Sequence, residues 1–321
     1  MKRIQVVETG GPEKMQLADV PTPVPGPGQA LVRIAATGVN FIDIYYRTGL
    51  YKADLPVALG SEAAGTVEAV GSGVTEVAPG DRVAYAMARG SYAEYAAVPA
   101  AQLVKLPAHL DFPSAAASML QGMTAHYLTH STFALKSGDT CLVHAAAGGA
   151  GGLIVQMAKM LGARVFGTVS TEAKAEIARS HGADEVILYT ERDFEAEVKR
   201  LTAGRGVDVV YDSVGKTTFD GSLESLAMRG HLVLFGQSSG VVPPFDPTRL
   251  TKGSYTLTRP SLQHYTSTRA ELLARAGDVL GMIAAGQLDV RIERKFPLPQ
   301  AADAHRALTS RATTGKLLLI P

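Results

Sequence analysis

Two rhythms of apolar and polar positions run along this chain. Up to about residue 120 the runs are short and alternate with period two: ALVRIAATGVN (30–40), GTVEAVGSGV (65–74), DRVAYAM (81–87) and SYAEYAAVP (91–99). Pro/Gly punctuation such as PTPVPGPGQ and APGDRV separates them, which predicts a mostly antiparallel β domain. From Cys141 the pattern changes. An apolar strand, a glycine-rich turn and a helix over 153–161, stopped by Gly162, are followed by a strand RVFGTV (164–169) and a helix capped by Ser170–Thr171. EVILY (185–189), a helix over 194–202, VDVVYDSVG (207–215), a helix containing 223–228, HLVLFG (231–236) and YTLT (255–258) continue the alternation. Six strands spaced by helices predict an α/β fold, a doubly wound parallel sheet of the Rossmann type.

The last sixty or so residues hold a helix (271–286), a strand IERKFPL, a helix (299–310) and a strand KLLLI, too few to form a core alone. They are predicted to return to the first domain, giving one domain from 1–123 with 262–321, an inserted nucleotide domain from 124–261, and a cleft between the two. A length of 321 residues suits two domains. A net charge of +1 gives no global field for nucleic acid or an anionic membrane. No apolar run reaches the roughly 20 residues of a membrane span, and MKRIQVVETGGPEKM lacks the apolar stretch of a secretory signal. A cytoplasmic protein is the expectation. The single cysteine, Cys141, excludes an intrachain disulfide and a zinc lobe of several thiolates, and its apolar strand predicts a packing role. His126 and His130 lie four apart without a nearby cysteine or matched carboxylate, so a solvated helix face is expected there.

Chemistry concentrates in the glycine turn. The spacing Ala145-x-x-Gly148-x-x-Gly151 places small residues where a dinucleotide turn needs them, so Ala147, Gly148, Gly149, Ala150 and Gly151 are candidate diphosphate contacts through backbone N–H groups. Gly152 adds a further glycine, predicted to loosen the helix start. Ligands of such sheets lie beyond the carboxyl ends of the strands, which selects Ser170, Tyr189, Ser213 and Phe235 to Ser239, with Gly236 and Ser238 among them. No carboxylate stands at the end of the second strand before Glu172, while Ser170, Lys174 and Tyr189 offer a cation and two hydroxyls. That set suits a 2′-phosphate and predicts NADPH over NADH.

Several separated motifs carry a family resemblance. Gly60-Ser61-Glu62-Ala63-Ala64-Gly65-Thr66-Val67, Val70-Gly71, Gly80-Asp81-Arg82-Val83 and Tyr92-Ala93-Glu94-Tyr95 resemble the medium-chain dehydrogenase/reductase signature. NFIDIYYRTGLY (40–51), HAAAGGAGG, YDSVG, LFGQSSG, TRPSLQHY and SRATTGKLLLIP are similar to the zinc-independent, zeta-crystallin-like NADPH:quinone reductases, from end to end of the chain. The resemblance implies a GroES-like, mostly β catalytic domain carrying the Rossmann domain, and a homodimer. Where zinc alcohol dehydrogenases of the superfamily place a catalytic cysteine this chain has Asn40, and Gly60-Ser61-Glu62 replaces Gly-His-Glu. No metal is therefore expected, and the fitting substrates are already electrophilic.

The same resemblance implies that Asn40, Tyr45 and Tyr51 border the nicotinamide and the quinone. It implies that Thr124, just before the first Rossmann strand, touches the cofactor. Ser170, Lys174 and Tyr189 match the 2′-phosphate contacts, and Phe235, Ser238 and Arg311 match positions around the diphosphate and nicotinamide ribose. Arg311, in a polar turn, suits a phosphate as a fork donor. Asp43 either orients Arg47 one helical turn on or is solvated. Tyr45 and Tyr51 suit shape and stacking better than acid catalysis, since a phenol titrates near pH 10. The implied activity is metal-free NADPH-dependent reduction of a quinone, by hydride or electron transfer. The alternatives are reduction of enone or alkenal double bonds, and a non-enzymatic structural or AU-rich RNA-binding role for which the charge gives no footprint.

Overall fold

The computed structural model describes residues 1–310 and 312–321 and separates into two compact units, Met1–Met123 with Thr266–Pro321, and Thr124–Tyr265. The first unit opens with β1 (Lys2–Val6), β2 (Met15–Asp19) and the long β3 (Gln29–Val39), then a short helix α1 (Phe41–Arg47). β4 (Val57–Ala58), β5 (Glu62–Val70), β6 (Arg82–Ala86), β7 (Tyr95–Pro99) and β8 (Val104–Lys105) follow. Alternation fixes the register: β3 pairs antiparallel with β5 (Ile34 opposite Gly65) and with β7 (Val32 opposite Ala96). The inward side chains Val32, Ile34, Val67, Val83 and Tyr85 close one apolar core. Helix α2 (Phe112–Tyr127) comes next, and Thr124 lies within it rather than at the mouth of a strand.

The second unit is a six-stranded, all-parallel sheet in the order β11-β10-β9-β12-β13-β14. Its elements are β9 (Thr140–Val143), α3 (Gly149–Met160), β10 (Arg164–Val169), α4 (Glu172–Ser180), β11 (Glu185–Leu188), α5 (Phe194–Leu201), β12 (Val207–Asp212), α6 (Phe219–Glu224), β13 (Leu226–Leu234) and β14 (Thr256–Thr258), with α7 (Leu262–Tyr265) closing it. The strand order reverses between β9 and β12, the switch point where doubly wound sheets bind their ligands. β9 and all of β10 but its first residue are buried, as expected of strands covered on both faces. Cys141 is one of these buried side chains, and burial pushes its thiol pKa up.

Two expectations fail here. Residues 226–228, read as helix, are the first residues of β13; pairing of Leu226 with Val207 overrides the helical spacing of SLESLAM. α3 begins at Gly149, four residues before its apolar stripe, because the glycines form its first turn.

The chain then returns to the first unit with α8 (Arg269–Ala284), β15 (Ile292–Pro297), α9 (Ala301–Thr309) and β16 (Lys316–Ile320). β16 lies antiparallel to β3 (Leu318 opposite Gly38) and parallel to β15. Leu317, Leu319 and Phe296 pack with Ile4, Val39 and Tyr92 in a second core of that unit. His126 is buried and stacked on the exposed His130, ring centroids 4.2 Å apart and 5° from parallel, so only His130 has the solvent exposure that the spacing suggested.

Candidate active site

In the nucleotide unit the chain leaves β9 through Ala145, whose φ of +53° is the left-handed conformation that costs an alanine about 1–2 kcal/mol. The Ala145 carbonyl accepts from Gly148 N–H at 2.8 Å and closes the turn, and Gly152 N–H to Gly148 O at 2.7 Å is the first bond of α3. The N–H groups of Gly149, Ala150 and Gly151 precede that bond and point out of the helix start, an anion site built from backbone. A Cβ at Gly151 would overlap the Ala145 carbonyl oxygen. Gly152 lies against His181: a Cβ there would meet His181 Nδ1 at 2.8 Å, so the imidazole occupies the space a larger residue would need.

The strand ends converge on the same edge of the sheet. Val169 is opposite Leu188, so Ser170 and Tyr189 follow side by side, and Tyr189 N–H bonds Val169 O at 3.1 Å. Thr171, not Ser170, caps α4, accepting from Lys174 N–H. Beyond β12 and β13, Ser238 N–H bonds Ser213 O at 3.1 Å, and a Cβ at Gly236 would run into Ser213. The structure thus brings Ala147–Gly151, Ser170, Tyr189, Ser213, Phe235, Gly236 and Ser238 to one end of the parallel sheet. Arg311 lies outside the described residues.

Beneath this edge is a buried network that local sequence patterns do not reveal. Asp212 accepts from the N–H groups of Val214 and Gly215 and from the hydroxyls of Thr218 and Ser222, at 2.7–2.9 Å. With the Ser222 proton on Asp212, His144 Nε2–H must donate to Ser222 Oγ (2.9 Å) and Nδ1 must accept from Thr168 Oγ1 (2.9 Å). Burial lowers the imidazole pKa, consistent with this neutral form. β9, β10, β12 and α6 are tied together directly below the glycine turn.

In the other unit, α1 presents aromatic rings on its outer side. Tyr51 packs edge-on against Tyr45 and Tyr46, centroids 5.2 and 5.6 Å apart, and Tyr51 N–H bonds Tyr45 O at 3.0 Å. The inner side of α1 is polar and buried. Asp43 neither orients Arg47 nor meets solvent: it accepts from Ser61 Oγ at 2.6 Å, Tyr92 OH at 2.9 Å and Asn40 N–H at 3.0 Å. Tyr92 OH is 3.1 Å from His305 Nε2, and His305 Nδ1 is 3.0 Å from Arg47 Nη1. Tyr92 has one proton and gives it to Asp43. Nε2 therefore donates to the phenol oxygen and Nδ1 accepts from Arg47, which requires a neutral imidazole. Burial, then the Arg47 charge, push His305 down to about 3. Burial raises Asp43 to about 6 against its hydrogen bonds from Ser61, Tyr92 and Asn40 and the Lys316 charge.

These shifts oppose each other in acid. The His305 contribution is present above about pH 6.5 and is lost as pH falls towards 3, because only the unfolded imidazole binds the proton. That of Asp43 is present below about pH 3.8 and is lost as pH rises through about 6. His305→Gln removes only the first. Its destabilisation, measured by urea unfolding, is expected to be smaller at pH 5 than at pH 8 by about 2 kcal/mol; an equal cost at both pH values contradicts the neutral imidazole.

Asn40 sits in a second buried cluster. Its Nδ2 donates to Glu62 Oε1 at 2.7 Å, and its Oδ1 accepts from Lys316 Nζ at 2.7 Å. Lys316 pairs with Glu62, whose other oxygen accepts Leu120 N–H at 2.6 Å. Asn40, Glu62 and Lys316 are 3%, 0% and 1% exposed. A Cβ at Gly38 would overlap this pair, so the backbone approach needs glycine. These donors do not fit a zinc ion: the Asn40 amide is committed, Ser61 donates to Asp43, and an ammonium group already neutralises Glu62. Lys316, Tyr92 and His305 escaped sequence reasoning because their partners are far apart, 258 residues for Arg47 and His305. The available hint was Asp43 three residues after Asn40, the spacing of a capping box.

Comparison with known proteins agrees with both units. Residues 26–108 match the alcohol dehydrogenase GroES-like domain family, and residues 149–276 match the zinc-binding dehydrogenase family. A quinone oxidoreductase of Pseudomonas aeruginosa is 48% identical over 100% of this chain and 99% of its own length. A 2-haloacrylate reductase of a Burkholderia species is 43% identical over 97% of this chain and 96% of its own. The crystal structure of Escherichia coli quinone oxidoreductase complexed with NADPH superposes with a TM-score of 0.98 at 44% identity, covering all of both chains.

Proposed function

The chain belongs to the quinone oxidoreductase family within the medium-chain dehydrogenases/reductases, and from that premise we propose that it reduces quinones with NADPH and without a metal. The observation that carries this is the backbone phosphate turn beside a second strand, β10, that is followed by Ser170 and by no carboxylate before Glu172. In this reading the amides of Gly149 to Gly151, with Ala147 and Gly148, hold the diphosphate. Ser170, Lys174 and Tyr189 hold the 2′-phosphate, and Thr124, Ser213, Phe235, Gly236, Ser238 and Arg311 complete the cofactor contacts.

Bound NADPH supplies the hydride. The chain's own residues supply placement: Tyr45 and Tyr51 form an aromatic wall for the acceptor, and Asn40 fixes the start of the helix that carries it. Positioning and exclusion of water then account for the rate, and the oxyanion takes its proton from solvent. A second reading, reduction of a conjugated double bond, draws on the 2-haloacrylate reductase relative. A homodimer is part of the proposal, with β14, at the end of the six-stranded sheet, as the pairing edge; sedimentation gives its mass. So is a cytoplasmic location; among the described residues no helix is long and apolar enough to cross a membrane.

Rates of NADPH oxidation with 1,4-benzoquinone, 9,10-phenanthrenequinone, crotonaldehyde and 2-chloroacrylate, with and without chelator, test these readings. Quinone turnover indifferent to chelator is expected, and faster turnover of the enones supports the second reading. Lys174→Ala is expected to lower kcat/KM for NADPH about tenfold, as for loss of one charge-assisted contact, and to leave NADH nearly unchanged.

A further inference from the structure

A cavity of about 620 Å³ opens in the first unit beside the aromatic wall, and Tyr46, Tyr51, Lys52, Asp54 and Arg89 are among its lining residues. Arg89 lies over the Tyr46 ring, its guanidinium carbon 5.0 Å from the centroid, and the Tyr46 ring meets Tyr51 edge-on at 79°. This cation–π contact engages the ring face and leaves the guanidinium N–H groups available to donate. Among the described residues neither Arg89 nor Lys52 has a carboxylate within ion-pair distance. With Asp54 on the same wall, two cations and one anion leave a single net positive charge.

A cavity of this size lies within the range that holds small-molecule ligands, and a bicyclic aromatic fits it easily. Tyrosine rings offer the apolar surface such a ring needs, and one planar donor fork offers what a carboxylate or sulfonate needs. We propose that this cavity is an acceptor subsite for an aromatic monoanion: the ring lies against Tyr46 and Tyr51, and the acidic substituent meets Arg89 and Lys52. The assignment to the acceptor rests on the quinone reductase reading above; the recognition of an aromatic monoanion does not.

Titration calorimetry on the full chain compares naphthalene-2-sulfonate, a redox-inert probe, with neutral 2-naphthalenemethanol. The sulfonate is expected to bind at least about tenfold more tightly, by one well-placed charge contact. Arg89→Gln should remove most of that difference, and Arg89→Lys should restore part of it. The sulfonate should also inhibit reduction of 1,4-naphthoquinone competitively with the quinone and not with NADPH. Equal affinities for the two probes, indifference to Arg89→Gln, or inhibition that is not competitive with the quinone would each overturn the subsite. Quinone turnover without Arg89-dependent binding sinks the subsite alone. Arg89-dependent binding without any quinone turnover sinks the reductase reading, and the acceptor assignment with it.

Discussion

Lys316→Met is expected to cost this protein about 3–5 kcal/mol of stability, the largest effect of any single substitution considered for the first unit. The reason is what remains behind. Glu62 is fully buried, and its charge is balanced by the Lys316 ammonium and by donors from Asn40 and Leu120. Methionine fills the volume but leaves a carboxylate without its cation in a low-dielectric interior, and Asn40 Oδ1 loses its 2.7 Å partner. The double substitution Glu62→Gln with Lys316→Met removes both charges and should recover more than half of the loss, because desolvating the ion pair is itself costly. Urea midpoints of the two variants give the answer. If the double variant is no more stable than the single one, the loss reflects packing rather than an orphaned charge.

Gly151→Ala is expected to weaken NADPH binding about a hundredfold, equivalent to about 2.7 kcal/mol. In an ordinary helix the same change stabilises by about 1 kcal/mol. Here the added methyl overlaps the Ala145 carbonyl oxygen, which itself closes the turn through Gly148 N–H. Relief of that overlap must shift the backbone, and the N–H groups of residues 149–151 then lose their common aim. Fluorescence titration of NADPH, with circular dichroism to confirm the fold, measures this. An unchanged dissociation constant would mean that the diphosphate lies elsewhere.

The nucleotide unit was legible because its signals are local. RVFGTV is β10 to the residue, since the apolar and β-branched Val165, Phe166, Thr168 and Val169 suit a strand covered on both faces. The glycine turn and the strand-end residues follow from the same alternation. Local signals also misled where pairing decided: Leu226 to Met228 have helical spacing but open β13, with Leu226 paired to Val207 of β12. α2 contains proline, glycine and serine and stands out poorly, yet its buried alanines pack it as a helix. The polar machinery of the other unit was least legible. Asp43 could be weighed against Arg47 four residues away, but its actual partners, Ser61 and Tyr92, come from other elements. Hydrogen bonds chosen by the tertiary fold have no period in the sequence, so spacing could not find them.

The insertion of β16 beside β3 has a consequence for biosynthesis. Lys316 is made 254 residues after Glu62, and at ~5–20 residues per second that interval lasts roughly 13–50 s. Throughout it the nascent first domain carries a carboxylate with no counter-ion and an unpaired flank on β3, whereas the last strand of the nucleotide-binding sheet ends at Thr258, before α8, β15, α9 and β16 are made. The ribosome therefore delivers a chain whose middle can mature before its beginning, and the earliest residues to emerge wait longest for protection from aggregation.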